Sequence, residues 1–480
     1  MSSLDDTICA VATPPGEGGI GVVRVSGSQA LVIASQNIRL RNSRPWDELQ
    51  AFRFYLGHFL GKYSEHSNAS ARTVLDEVLV VIMRAPRSYT GEHVVEVHCH
   101  GGMAVVETIC TALIEVGARL AEPGEFTKRA FLHGRLDLTQ AEAVLDTIQA
   151  NSLLSLKLAQ EHLQGKLSSI LQGMREGLLK MVAHLEAGMD FVEDDIQFID
   201  LTEMKGQVQG IVTELNRLID SSGEGRIIRE GVRAVIMGQP NVGKSSLLNA
   251  LLGIDRAIVS AIPGTTRDVL EEAIMVDGIL VRFFDTAGLR SSPDELEREG
   301  MNRAQQKIEQ ADVLILVVDR SEYTNEKDVF EFLKYQEKQY IVVLNKSDLP
   351  HRLPRKSIER MIGKHFPNDE ESRNNFECVE VSAKTGEGLL ELRSAIKKRA
   401  LGRRLEGHDS VLVGRIRHTT LLRQARESLR QALEALNNGG APEYLAMELR
   451  SALHSLGEII GVVTNEDILD QVFRDFCIGK

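Results

Sequence analysis

The stretch Gly238-Gln239-Pro240-Asn241-Val242-Gly243-Lys244-Ser245 constrains this chain more than any other. The apolar run Ala234-Val235-Ile236-Met237 before it reads as a buried strand, and Ser246-Leu247-Leu248-Asn249-Ala250-Leu251-Leu252 after it reads as a helix. A strand, a glycine turn and a helix in that order aim backbone N–H groups at phosphate oxygens, at the positive end of the helix dipole. Lys244 then reaches the β- and γ-phosphates, and the Ser245 hydroxyl ligates Mg²⁺. A glycine turn with an accidental Lys-Ser is the alternative, and the flanking strand and helix weigh against it. The segment predicts an α/β domain with a nucleoside triphosphate site.

The following signals come in the order such a domain needs. Val281-Arg282-Phe283-Phe284 is a short strand ending in Asp285-Thr286-Ala287-Gly288, where an acid can hold Mg²⁺ through water and the Gly288 N–H can sense the γ-phosphate. Residues 313–318 and 340–344 read as fully buried parallel strands. The second ends in Asn345-Lys346-Ser347-Asp348. A carboxylate there accepts from the two adjacent donors of guanine, a pair that adenine lacks, so adenine would leave it unmatched. Ser382-Ala383-Lys384, after the strand-like 378–381, suits a loop facing the guanine carbonyl. Together these motifs predict a GTPase.

The position that holds a water-orienting Gln in many small GTPases is Leu289, which has no polar atom. The polar stretch 289–298 could bring a carboxylate or Arg290 into the site, or be a solvated switch loop. Upstream, residues 257–268 include Thr265 and Thr266, and a threonine hydroxyl in such a loop can complete the Mg²⁺ shell while the γ-phosphate is present.

With 480 residues, the chain is long enough for about three domains. Its 43% hydrophobic and 26% charged content is that of a soluble globular protein, and no apolar run approaches the ~18 residues of a membrane span. The first residues lack a basic region followed by an apolar stretch, so no secretory signal is expected. Five scattered cysteines (Cys9, Cys99, Cys110, Cys378, Cys477) fit reduced thiols in a cytoplasmic protein better than a disulfide framework. The net charge of −12 disfavours non-specific attraction to nucleic acid by the whole chain, while leaving room for a local basic patch.

Residues 1–120 read as mixed α/β, with strands at 20–26 and 76–83 and a helix at 103–116. From Leu138 to Leu185, apolar residues recur at three- and four-residue steps, predicting a pair of amphipathic helices. The helical pattern resumes after the GTPase segment. Leu422, Ala425, Leu429, Ala432 and Leu436 share a face closed by Asn437-Asn438-Gly439-Gly440, and a last helix after Thr464 presents Ile468, Leu469, Val472, Phe473 and Phe476. The predicted architecture is a helical domain (121–230 and 401–480) interrupted by an inserted GTPase domain (231–400), which costs little if the joining points lie close together.

At the C-terminus, Cys477-Ile478-Gly479-Lys480 is not a prenylation box, because Gly479 is not aliphatic and Lys480 is a poor final residue. Cys477 near a cationic Lys480 is either a reactive thiol or one that merely packs. His98 and His100 share a strand face, but no other Cys/His set has zinc spacing, so a structural or substrate-contacting role is expected.

Several further motifs carry a resemblance. They are Asp6-Thr7-Ile8, 12–16, 19–27, Tyr89-Thr90-Gly91-Glu92, His100-Gly101-Gly102, Pro123-Gly124-Glu125-Phe126-Thr127, 264–268, 285–290 and Cys477-Ile478-Gly479-Lys480. Over its whole length the chain resembles the tRNA-modification GTPase family known as MnmE or TrmE. The resemblance implies an N-terminal folate-binding domain (1–120) that also makes a homodimer, and a helical domain carrying a Ras-like P-loop GTPase domain. It implies work with the flavin-dependent (FAD) MnmG or GidA protein, in a heterotetramer. Together they would add an aminomethyl-type group to carbon 5 of the wobble uridine of certain tRNAs, with a tetrahydrofolate (5-formyl or 5,10-methylene form) as one-carbon donor. No membrane association is implied.

Folate positions carried over by the resemblance are Arg24, Glu96, Arg135 and Lys480. Arg and Lys suit the ligand's carboxylates, and Glu96 suits pterin N–H donors. GTP positions are Asn241, Val242, Gly243, Lys244, Ser245 and Ser246; Ser260, Ala261, Ile262, Pro263, Gly264, Thr265 and Thr266; Asp285, Thr286, Ala287 and Gly288; and Asn345, Lys346, Asp348, Ser382, Ala383 and Lys384. Mg²⁺ falls to Ser245 and Thr266. The family supplies K⁺ where other GTPases supply an arginine finger, and its ligands here would be Asn241, Ser260, Ile262 and Thr265. Glu297 matches the water-orienting carboxylate; Lys244 and Cys477 complete the candidate catalytic set. Val242 and Pro263 depart from the small residues common at those positions. A ribosome-assembly GTPase acting as a binding switch shares the GTPase motifs but lacks the N-terminal motifs and the terminal Cys-Ile-Gly-Lys.

Overall fold

The alternation of Val23 and Val25 with Arg24 along one strand decides how the N-terminal part of the chain layers. A computed structural model describes residues 6–61, 73–190, 201–259, 271–285, 306–322, 329, 333, 338–365, 376–401, 411–464, 466–474 and 476–480. The chain forms two compact units, the first comprising residues 1–145, 162–198 and 446–480, the second 146–161 and 199–445.

In the first unit, β1 (Ile8–Val11), β2 (Gly18–Ser26), β3 (Ile38–Leu40), β4 (Phe54–Gly61), β5 (Thr73–Met83), β6 (Val94–Gly101) and β7 (Arg119–Leu120) make one sheet ordered β3-β4-β5-β6-β2-β1-β7. All pairings are antiparallel except β1 with β7. Helices α1 (Ala30–Asn37) and α2 (Met103–Glu115) cover one face, where Cys9, Val23, Val25, Phe59, Val80 and Val97 meet Ile33, Ile109 and Leu113. Because side chains alternate across a strand, the opposite face receives Arg24, Glu96 and His98, and register pairs Arg24 with Glu96.

Helices α3 (Glu125–Leu132), α4 (Leu138–Ile148), α5 (Leu153–Leu163) and α6 (Lys166–Asp190) follow. The expected pair of helices over 138–185 is therefore three. Ser152 and Ser155 cap α5 reciprocally, each backbone N–H donating to the other's hydroxyl at 3.0 Å, and Gly165 breaks the chain before α6 at φ +80°.

The second unit contains α7 (Leu201–Asp220), α8 (Ser222–Glu230), β8 (Val232–Met237), α9 (Lys244–Val259), β9 (Glu271–Val276), β10 (Ile279–Asp285), β11 (Val313–Asp319), β12 (Gln339–Asn345), α10 (Arg355–His365), β13 (Phe376–Glu380), α11 (Leu389–Leu401) and α12 (Ile416–Asn438). Its sheet runs β13-β12-β11-β8-β10-β9, parallel except for β9 against β10. Buried residues of α9 and α11 fill one face and those of α10 the other, so β11, covered twice, is apolar throughout to Val318. Gly439 ends α12 in the left-handed region, as the Asn-Asn-Gly-Gly turn predicts.

The segments leading into and out of this sheet touch each other. A Cβ on Gly225 would lie 2.4 Å from the Val413 carbonyl oxygen, and one on Gly414 would lie 2.8 Å from that of Gly225. Val413 N–H donates to Ser221 Oγ at 3.1 Å, and Arg229 Nη1 to the Gly414 carbonyl at 3.1 Å.

Two more helices, α13 (Pro442–Ile460) and α14 (Glu466–Phe473), end the chain. Phe473 and Phe476 pack with Leu469 on Leu138, Ala141 and Leu145. Phe476, expected on the last helix, lies past its end; the chain turns there to bring residues 477–480 back along the first unit.

Candidate functional site

In the second unit, the turn from β8 into α9 forms only because two positions carry no side chain. A Cβ on Gly238 (φ +142°) would lie 2.3 Å from the Val317 carbonyl oxygen, and one on Gly243 (φ +95°) 2.3 Å from Asn345 Nδ2. Lys244 Nζ curls back over the loop and donates to the carbonyls of Gly238 and Gln239 at 2.9 and 2.7 Å. Asn241, at φ +62°, and Ser245 and Ser246 are exposed at the loop mouth, while Val242 is buried.

Asn345, buried at the end of β12, ties this loop to the next. Its Nδ2 donates to the Val242 carbonyl at 2.8 Å, and its Oδ1 accepts from Ala383 N–H at 3.2 Å. Asp348 lies at the surface and accepts from the fully buried Ser382 hydroxyl at 2.7 Å, with Lys384 exposed beside it. Lys346 pairs with Asp319. Burial pushes the Asp319 carboxyl up, but hydrogen bonds from Lys346 and Ser321 outweigh it and hold the group below its usual range. The structure thus brings Gly243, Lys244, Asn345, Asp348, Ser382 and Ala383 to one end of the parallel strands, where α/β sheets bind ligands. Asp285 ends β10 opposite Ile236, one strand away from the loop. Ser260, Ala261, Ile262, Pro263, Gly264, Thr265, Thr266, Thr286, Ala287, Gly288, Leu289 and Glu297 lie outside the described residues.

The first unit brings three of the four folate candidates together. Arg24 Nε and Nη2 both reach Glu96 Oε1 at 2.9 Å, and Arg24 Nη1 donates to the Gly479 carbonyl at 3.4 Å. The C-terminal segment is held by the start of α3. Gly124 N–H donates to the Cys477 carbonyl at 3.4 Å and Phe126 N–H to the Lys480 carbonyl at 3.2 Å. Gly479, at φ +98°, rests on β1 so closely that a Cβ would stand 2.3 Å from the Val11 carbonyl oxygen.

Lys480 is half-buried and feels the charges of Arg24 and Glu96. Burial, then the charge of Arg24, push its ammonium below the usual lysine range, and Glu96 opposes them. Arg135 stands just past α3 and is exposed; it lines a cleft of about 610 Å³ with Phe131, Gln140, Gly461 and Thr464. Cys477 is exposed, and all five cysteines are free thiols.

Two residues quoted as motif members gain roles that spacing did not reveal. The Arg24 guanidinium lies 5.6 Å from the ring centroids of both Tyr89 and Phe126, which orient it by cation–π contact. Burial raises the Tyr89 hydroxyl above its usual range against the fields of Arg24 and Arg135, and that hydroxyl shares a 2.8 Å hydrogen bond with Thr127.

Beneath them lies a buried charge network. Arg129, 2% exposed, contacts Asp6, Glu92 and Glu125, and Arg119 contacts Asp6 and Glu125. Burial raises Asp6 and Glu125, but the two arginines more than offset it and hold both carboxyls low. His100 pairs with Asp76 at 2.7 Å, and His98 lies 3.5 Å from Glu96 with its ring edge-on to Phe54.

Comparison with known proteins extends over the same two units. Residues 138–477 match the MnmE helical domain model, and residues 7–135 match the GTP-binding protein TrmE N-terminus model. Curated relatives include the tRNA modification GTPase MnmE of Moorella thermoacetica, 44% identical over 99% of this chain and 100% of that protein. The proteins of that name from Heliobacterium modesticaldum (43%) and Clostridioides difficile (38%) also align over 99% of this chain and their own full length. With both halves matched and relatives above 40% identity end to end, the chain belongs to the MnmE family of tRNA-modification GTPases.

Proposed function

We propose that this chain hydrolyses GTP and acts in tRNA modification, using a reduced folate at the site around Arg24. The observation that carries the folate reading is the docking of the C-terminal segment, which brings the Gly479 carbonyl onto Arg24 of the Arg24–Glu96 pair and puts the Lys480 ammonium within the field of both. The donor set suits such a ligand. Arg24 and Lys480 offer cations to carboxylates, Glu96 accepts from pterin N–H groups, and the Tyr89 and Phe126 rings lie within cation–π range of the arginine. Bound there, the folate supplies the one-carbon unit; this chain's residues hold and orient it. A flavin-dependent MnmG-type protein is the proposed partner, joined by a homodimer of this chain, with the wobble uridine of tRNA as the acceptor.

For GTP, Lys244 and Ser245 are assigned to the phosphates and Mg²⁺, Asp348 to the guanine donors, and Glu297 to the attacking water. Mg²⁺ and K⁺ supply charge neutralisation at the transferred phosphoryl group. Asn241 is assigned to the monovalent ion; its exposure in the loop, at φ +62°, supports that assignment.

Two measurements test the proposal. GTP turnover should be faster in K⁺ than in Na⁺, and equal rates would refute the K⁺ assignment. Calorimetry with 5-formyltetrahydrofolate should detect binding to the intact chain, and its absence would remove the chemical basis of the folate reading and favour a binding switch.

A further inference from the structure

Phe52 is out of place for a residue without a task. It is an aromatic residue at φ +60°, in the left-handed region, and 61% of it faces solvent. A bulky side chain there is strained, and burial gains nothing in return for this one. The backbone holds it nonetheless. Phe52 N–H donates to the Ile82 carbonyl at 2.9 Å, and Gln50, at the start of the same turn, donates to and accepts from Tyr55 Oη at 2.8 and 3.3 Å.

The surroundings are basic. The connection from β3 to β4 carries Arg41, Arg44 and Arg53, and the turn after β5 carries Arg84 and Arg87. Both lie at the same end of the sheet, because Phe54 pairs with Val81 and Arg84 Nη2 donates to the carbonyls of Trp46, Asp47 and Leu49. Asp47, Glu48 and Glu92 are the acids in these two connections, Glu92 is taken up by Arg129, and none of the five arginines makes an ion pair among the described residues. In a chain of net charge −12, this is a local reversal of sign.

We propose that this loop cluster is a contact surface for single-stranded RNA, with Phe52 as a stacking platform for one base and Arg44, Arg53 and Arg87 on the flanking phosphates. An exposed aromatic ring among unpaired guanidinium groups is how unstacked bases are held without sequence readout. A strained turn that presents the ring outward supplies the rigidity such stacking needs. The inference rests on the tRNA reading above and adds to it that this chain, not only its partner, grips the RNA.

The test uses the full chain and a fluorescein-labelled unmodified tRNA transcript, followed by anisotropy between 50 and 200 mM salt. Phe52→Gly should weaken binding by about fivefold or more, the least that losing one stacked base would give. It should leave the melting temperature equal or higher, since glycine relieves the left-handed strain. Phe52→Tyr should restore affinity. Arg44→Glu, Arg53→Glu and Arg87→Glu together should weaken binding at least tenfold and reduce the log–log salt slope by about 2, at roughly 0.7 per single-strand phosphate. GTP turnover should not change in any variant.

If the parent binds tRNA and all variants bind equally well, the surface proposal fails and the tRNA reading stands. If the parent binds no tRNA yet supports wobble modification with its partner, the surface proposal also fails, because the partner alone holds the RNA. If polyglutamate displaces tRNA with equal strength and Phe52→Gly has no effect, the surface belongs to an acidic protein instead. If the parent neither binds tRNA nor supports modification, the tRNA reading itself falls.

Discussion

Gly479→Ala tests whether the C-terminal segment builds the folate site. At φ +98° an alanine costs at least about 1–2 kcal/mol of backbone strain. Its methyl would also stand 2.3 Å from the Val11 carbonyl oxygen and 3.1 Å from Ala12 Cα, both backbone atoms in or beside a paired strand that cannot retreat. Against this, three hydrogen bonds hold the segment: Gly124 to Cys477, Phe126 to Lys480, and Arg24 to Gly479, with lengths of 3.2 to 3.4 Å. At about 0.5–1.5 kcal/mol each they amount to roughly 1.5–4.5 kcal/mol, comparable to the strain before the clash is added. The segment should therefore undock and take Lys480 with it. Losing one charge-assisted contact to the ligand, about 1.5–3 kcal/mol, predicts a folate affinity lower by about 10- to 150-fold in calorimetry. Hydrogen exchange at the Phe126 amide should accelerate, and GTP turnover should hold. An alanine variant that binds folate as the parent does, with the Phe126 amide still protected, would refute the reasoning.

Other expectations follow from the buried network and the nucleotide loops. The lowered carboxyls of Asp6 and Glu125 stabilise the folded state above their unfolded pKa values, so thermal stability should be flat above about pH 5 and decline below about pH 4. Arg129→Met leaves Glu92 without a cation and Asp6 and Glu125 with Arg119 alone, and should cost about 3–5 kcal/mol at pH 7, with the deficit shrinking as acid neutralises the carboxylates; a constant deficit in denaturant melts across pH would contradict this. Asn345→Ala removes the bridge between the Val242 carbonyl and Ala383 N–H, and should weaken GTP binding by about 1–3 kcal/mol in nucleotide titrations. Asp348→Asn should shift preference from GTP toward XTP in competition binding, because the amide presents a donor where guanine also has one.

The nucleotide-binding half was the more legible in sequence because its information is local. Strand, glycine turn and helix adjoin along the chain, and fully apolar runs such as 313–318 announce strands covered on both faces. The first unit depends on distant pairings. Arg24 meets Glu96 through strand register, and Lys480 reaches them only because the chain reverses after Phe473 and Gly479 fits against Val11. The family resemblance named those residues, whereas the spacing of residues could not bring the Tyr89 and Phe126 rings to the guanidinium. Helical periodicity gave the apolar stripe over 138–185 but not its breaks, since serine caps and Gly165 leave the apolar rhythm unchanged. It also carried Phe476 onto a helix, because a residue packed just past a helix end keeps the same spacing as one within it.

The contact of Gly225 with Gly414 bears on how the molecule carries mechanical load. The chain enters and leaves the nucleotide-binding sheet through one backbone crossing, reinforced by Ser221 and Arg229. Tension drawn along the polypeptide from either side passes across that crossing first. The parallel strands beyond it form a slack loop in the force path, so the phosphate loop keeps its geometry until the two glycines part.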